Sequence, residues 1–123
     1  MGRVAVVLAD MVTPEERKAR TESAFREVNE RIAENARRFD AGSTEFICEC
    51  GDPQCTNRVE ATLEEYEEVR GDGARFLLTP GHGDGSVEEV VESRGRFMIV
   101  EKVQATARAI AKRLNPRTAD GVA

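Results

Sequence analysis

The sequence predicts an α+β fold: a long N-terminal helix packed on a small β-β-α-β-α-β unit, with a C-terminal helix. Three observations carry that expectation. After Pro14, no Gly or Pro interrupts the chain until Gly42. Residues 44–102 then alternate short β-branched or aromatic runs with Gly-rich turns. Finally, residues 103–114 return to helical spacing of small and apolar side chains.

Thr13-Pro14-Glu15-Glu16 supplies a capping hydroxyl, a proline at the first helical position and a Glu three residues after the cap. A helix starts there. Phe25, Val28, Ile32, Asn35 and Phe39 follow with 3-4-3-4 spacing, and Asp40-Ala41-Gly42 ends the run. The plainer use of this narrow stripe is docking on the chain's own domain. The sharper use is a coiled-coil-like homodimer seam along residues 14–40, with Asn35 fixing register.

Residues 44–50 place Phe46, Cys48 and Cys50 on one face of a strand that runs into the turn Gly51-Asp52-Pro53. Residues 58–61 form a second short strand. Thr62-Leu63-Glu64-Glu65 is a capping box opening a short helix through Tyr66 and Val69, which stops at Gly71-Asp72-Gly73. Residues 75–79 give a third strand. Ser86-Val87-Glu88-Glu89 reads as another capping box, so a short helix is expected to Glu92, before a last strand at 97–100. Val103, Ala107, Ile110, Ala111 and Leu114 predict a terminal helix up to Asn115-Pro116. The chain thus divides into an N-terminal arm (1–13), a long helix (14–41), an α+β core (44–102) and a C-terminal helix and tail (103–123).

Length bounds the core. The 123 residues hold five Phe, one Tyr and no Trp, a thin supply of large apolar side chains for one small domain. No apolar run approaches the ~20 residues that span a bilayer. Residues 4–9 are shorter than a signal-peptide core, so no export is expected. An odd number of cysteines, three, fits reduced thiols better than a disulfide framework, which points to the cytoplasm. Net charge is −5, and it is concentrated: residues 44–102 hold fourteen acidic and six basic side chains. Such a surface repels phosphate backbones.

The three cysteines and the only histidine fall inside that acidic stretch, as C-E-C-G-D-P-Q-C at 48–55 and P-G-H-G at 80–83. Tetrahedral zinc takes four N or S ligands, with Zn–S near ~2.3 Å and thiolate sulfurs about 3.8 Å apart. Residues i and i+2 of a strand share a face but lie about 6.6 Å apart. Cys48 and Cys50 therefore meet one metal only where the strand end bends. Gly51 supplies that freedom, the Asp52-Pro53 turn returns Cys55, and His82 closes the set from a distant loop flanked by Gly81 and Gly83. The expected ligands are Cys48, Cys50, Cys55 and His82, the expected cofactor is Zn²⁺, and the α+β unit reads as zinc-stabilised.

The passage F-I-C-E-C-G-D-P-Q-C, the E-Y-E segment at 65–67, R-F-L-L-T-P-G-H at 75–82 and F-M-I-V-E-K at 97–102 together resemble short, uncharacterised bacterial proteins sharing a C-x-C-x4-C and P-G-H pattern. The resemblance spans residues 25–102. It implies the same metal assignment at Cys48, Cys50, Cys55 and His82, and no particular activity.

Four protein donors, three of them anionic thiolates, favour a closed structural site over a reactive one. The chain therefore reads as a small cytoplasmic zinc-binding interaction or regulatory module, with no catalytic residue assigned. One alternative is a small zinc-dependent enzyme with three Cys ligands and water on the metal, using His82, Asp84, Glu49 or Asp52 as proton carriers. Another is a thiol redox sensor that releases zinc on oxidation. The zinc-deaminase pattern H-x-E…P-C-x-x-C, a P-loop and G-x-S-x-G are all absent. The expected partner is a protein or a second copy, with no nucleic acid and no membrane. On the first helix, the interleaved charges read as i,i+4 pairs: Glu22–Arg26, Glu27–Arg31 and Glu34–Arg38.

Overall fold

The computed structural model describes residues 13–117. The predicted N-terminal arm lies outside the described residues except for Thr13, and so does the tail from 118 onward. Helix α1 spans Pro14–Arg38 and opens as the sequence predicts: Pro14 lies in its first turn, and the Thr13 side chain accepts the Glu16 N–H at 3.1 Å. It ends earlier than expected, in a left-handed residue at Asp40 (φ 51°) with the Ala41 N–H closing on the Ala36 carbonyl.

Strands β1 (Thr44–Ile47) and β2 (Arg58–Ala61) form an antiparallel pair that aligns Phe46 with Val59. Helix α2 (Leu63–Arg70) begins in the expected capping box, with Thr62 and Glu65 each satisfying the other's backbone N–H. Strands β3 (Arg75–Leu78), β4 (Glu88–Ser93) and β5 (Met98–Lys102) build a second antiparallel sheet in the order β3-β5-β4. Helix α3 (Ala105–Arg113) follows, its first turn capped by the Gln104 side chain.

The α+β architecture holds, with one element of a different kind. The segment expected to be a short helix from Ser86 is strand β4, so the core reads β-β-α-β-β-β. Ser86 does not serve as a helix cap. Asp84 takes the Ser86 N–H on its side chain and the Val87 and Glu88 N–H groups on its carbonyl, folding a tight turn. The β-branched residues that follow gain a full ladder along β5, with a bulge between Val90 and Glu92. A short helix with two adjacent valines has no such partner to offset its poor propensity.

The core joins both sheets. Phe46 of β1 stacks on Tyr66 of α2 with centroids 4.5 Å apart, and Phe76, Leu77, Leu78, Phe97, Ile99 and Val100 pack in the same cluster as Cys48 and Cys50. Helix α1 docks on this core through an unexpected line: Ala19, Glu22, Ser23, Arg26, Asn29, Ala33 and Ala36 are buried, and the apolar stripe is not. Of its polar members, Glu22, Arg26 and Asn29 are anchored, whereas the Ser23 hydroxyl has no partner among the described residues. Arg26 donates to the Gly73 and Ala111 carbonyls and lies over the Phe76 ring, 4.7 Å from the centroid. Glu22 accepts from Lys102, so the expected Glu22–Arg26 pair within the helix does not form.

Candidate metal centre

The centre begins where β1 stops. Beyond Ile47 the chain leaves the strand, and Cys48, Glu49 and Cys50 are all buried instead of alternating. Asn29 of α1 makes this possible by clamping the strand end: its side chain accepts the Ile47 N–H and donates to the Ile47 carbonyl, each at 2.9 Å. The same amide donates to Glu49 at 2.7 Å. Glu49 in turn crosses to the second sheet, giving its N–H to Leu77 and accepting the Leu77 N–H on its carboxylate. The two sheets are thereby joined directly behind the cysteines.

Gly51 turns the chain with φ +81°, a left-handed conformation that costs glycine little. Asp52 then accepts the Gln54 N–H on its side chain and the Cys55 N–H on its carbonyl, which brings Cys55 back. The fourth residue comes from the loop after β3. Thr79-Pro80-Gly81-His82 is a tight turn with Gly81 at φ +88° and the His82 N–H on the Thr79 carbonyl, the pattern of a type II turn.

Together these turns bring one donor atom each from Cys48, Cys50, Cys55 and His82 within 4.8 Å of one another. Nδ1 of His82 lies 3.6 Å from Sγ of Cys55 and 3.8 Å from Sγ of Cys48. A tetrahedral ion with M–S of about 2.3 Å and M–N of about 2.0 Å spaces sulfur and nitrogen by about 3.6 Å. The observed separations are those of ligands sharing an ion. The group can hold a metal.

Backbone groups reach two of the sulfurs. The Thr79 N–H donates to Sγ of Cys48 at 3.2 Å, and the Asp52 backbone supports Cys50. Burial nevertheless pushes the Cys50 thiol up to about 12, with the neighbouring thiols Cys48 and Cys55 adding to the shift. A cation bound to the Cys50 sulfur would offset that shift and hold it as the thiolate. On the other side of the imidazole, Nε2 of His82 lies 3.3 Å from the Asn57 side-chain amide. The Asn57 atom facing it is Nδ2, so with Nδ1 on a metal and the proton on Nε2, a flip of the amide would turn its oxygen to accept that proton.

The groups that an enzyme would use as proton carriers are committed elsewhere. Burial pushes the Glu49 carboxyl up against its Asn29 and Leu77 hydrogen bonds, and both of its oxygens are engaged. Asp84 is held well below the usual carboxylate range by the Ser86 hydroxyl and the Lys18 ammonium, 3.0 Å away. Asp52 builds the turn. The structure brings together the four residues that the sequence singled out, and adds Asn29, Asn57 and the Thr79 N–H, which sequence reasoning missed. Nothing local marks them, because their roles arise only when distant segments meet.

No protein-family model matches the chain, and neither a curated protein nor a solved structure matches it. No helix among the described residues is long and apolar enough to cross a membrane.

Proposed function

We propose that the protein is a small zinc-binding interaction module in which Cys48, Cys50, Cys55 and His82 form a closed structural site. The observation that carries this reading is the convergence of four soft or borderline donors within 4.8 Å, with His82 at tetrahedral spacing from Cys48 and Cys55. A Cys3His donor set suits zinc, and three thiolates weaken the ion as a Lewis acid. Zinc would bind the end of β1, the turn after it and the loop after β3, joining the two sheets at the point where Glu49 and Leu77 already meet. Structural zinc supplies on the order of 10 kcal/mol of apparent folding free energy at neutral pH, a large term for so small a core.

One feature favours the water-ligated enzyme alternative: a cleft lined by Cys50, Asp52, His82, Gly81, Gly83 and Lys18 opens beside the cluster. Against it stands the commitment of Glu49, Asp52 and Asp84 to structural hydrogen bonds. His82→Ala and Cys55→Ser separate the readings. A structural site predicts loss of stoichiometric zinc and of cooperative unfolding in both variants, measured by metal analysis and circular dichroism. A His82→Ala chain that keeps one zinc and its fold would overturn the closed-site reading.

A further inference from the structure

Most of the stripe that defines α1 in the sequence lies at the surface of the described residues. Val28 is 46% exposed and Phe39 77% exposed, Phe25 and Ile32 are half-buried, and Asn35 is exposed. A groove runs along it, lined by Ala24, Glu27, Val28, Arg31, Ile32 and Asn35. The helix has already docked through its polar line; of the stripe, Ile32 packs against the edge of the core, while Val28, Asn35 and Phe39 stay exposed among the described residues.

Its flank says what covers it. Glu27, Arg31, Glu34 and Arg38 lie along one side of the stripe, all exposed. Unlike Arg37, which pairs with Glu67, these four make no ion pair among the described residues. Their signs alternate, and their 4-3-4 spacing reads the same in either direction. When two such helices pack antiparallel, like flanks meet, and each sign faces its opposite: Glu27 lies across from the second copy's Arg38, and Arg31 across from the second copy's Glu34. The same register, to within one residue's rise of about 1.5 Å, sets Phe25 beside the second copy's Phe39 and Ile32 at the two-fold axis. A parallel pair would instead bring this flank against the side of α1 that carries Asn29 and Ala36, which is buried in the chain's own core.

We propose that α1 is a homodimerisation surface on which a second copy of this chain packs antiparallel, stripe to stripe and flank to flank. This names the partner in the interaction reading above and rests on it only for that; the metal site is independent of it.

Sedimentation equilibrium of the full zinc-loaded chain tests the proposal, with zinc per chain measured alongside. The expected result is a dimer that Val28→Glu converts to monomer with its zinc retained. Arg31→Glu and Glu34→Arg are each expected to dimerise about tenfold more weakly, because each places like charges opposite at two points. Mixed in equal amounts they should form a heterodimer, since every flank pair is then of opposite sign. A wild-type chain that is monomeric at high concentration with zinc bound would overturn the dimer and leave the metal reading standing. A dimer indifferent to these charge reversals, or variants that fail to complement one another, would overturn the antiparallel seam.

Discussion

Gly51 shows how a single backbone position sets the metal centre. Its φ of +81° already disfavours any L side chain, and a Cβ there would lie 2.6 Å from Cγ of Glu22 and 3.1 Å from Cγ of Lys18. The turn between Cys50 and Cys55 is thus pressed against α1 with no room for a methyl group. Gly51→Ala is expected to cost about 2 kcal/mol or more, combining backbone strain with displacement of α1, as read by denaturant unfolding of the zinc-loaded protein. A variant of unchanged stability would contradict the close approach. Asn57 acts through His82: Asn57→Ala is expected to weaken metal affinity by roughly 10-fold to 100-fold in competition with a chelator, with the fold kept. Unchanged affinity would mean that the amide does not orient the ring. At this scale the sequence was most informative about the donors, since three cysteines and one histidine are all it contains of those types. It was silent about Asn29 and Asn57, which are ordinary polar residues until tertiary contact gives them work.

At the level of elements, the termini and turns were legible because they are written in local chemistry. Thr13-Pro14 and the Thr62–Glu65 box behave as their residue types dictate. Strand β4 was misread because Ser-Val-Glu-Glu is compatible with a helix start, whereas the ladder that makes it a strand lies on β5. The packing of α1 was misread for a related reason: apolar periodicity indicates which face can be buried, not which face finds partners. Here Glu22 and Arg26 found them. Glu22 lies buried against Lys102, with Glu88 on the other side of that ammonium and Lys18 nearby. Burial, with Glu88 repulsion adding to it, raises the Glu22 carboxyl to about 7 against the attraction of Lys102. Below its ordinary value of 4.5 the group is protonated in both folded and unfolded chains. Between 4.5 and about 7 only the folded chain holds the proton, so stability falls as pH rises through that window and levels off above it. Relative to Glu22→Gln, the wild type is expected to lose on the order of 3 kcal/mol between pH 4.5 and 7. Urea unfolding of both chains checks this, because metal-ligand titration is common to the two and cancels in the difference. A flat difference curve would exclude Glu22 as the titrating group.

For the molecule as a whole, the two small sheets share one thin aromatic core and meet at the Glu49–Leu77 bridge, directly behind the donor cluster. At that placement a bound metal would fasten the two sheets, while the exposed part of the α1 stripe lies on a different element from the donors. The proposed structural zinc and the proposed dimer surface thus lie on separate parts of the molecule. Chelation should therefore unfold the core, and removal of the α1 stripe should leave the metal in place. The central claim is the closed Cys3His zinc site, and X-ray absorption at the zinc edge on the purified full chain tests it most directly. The account predicts one zinc per chain with three sulfur ligands and one nitrogen ligand. Three sulfurs with a bound water, or no stoichiometric zinc, would contradict it.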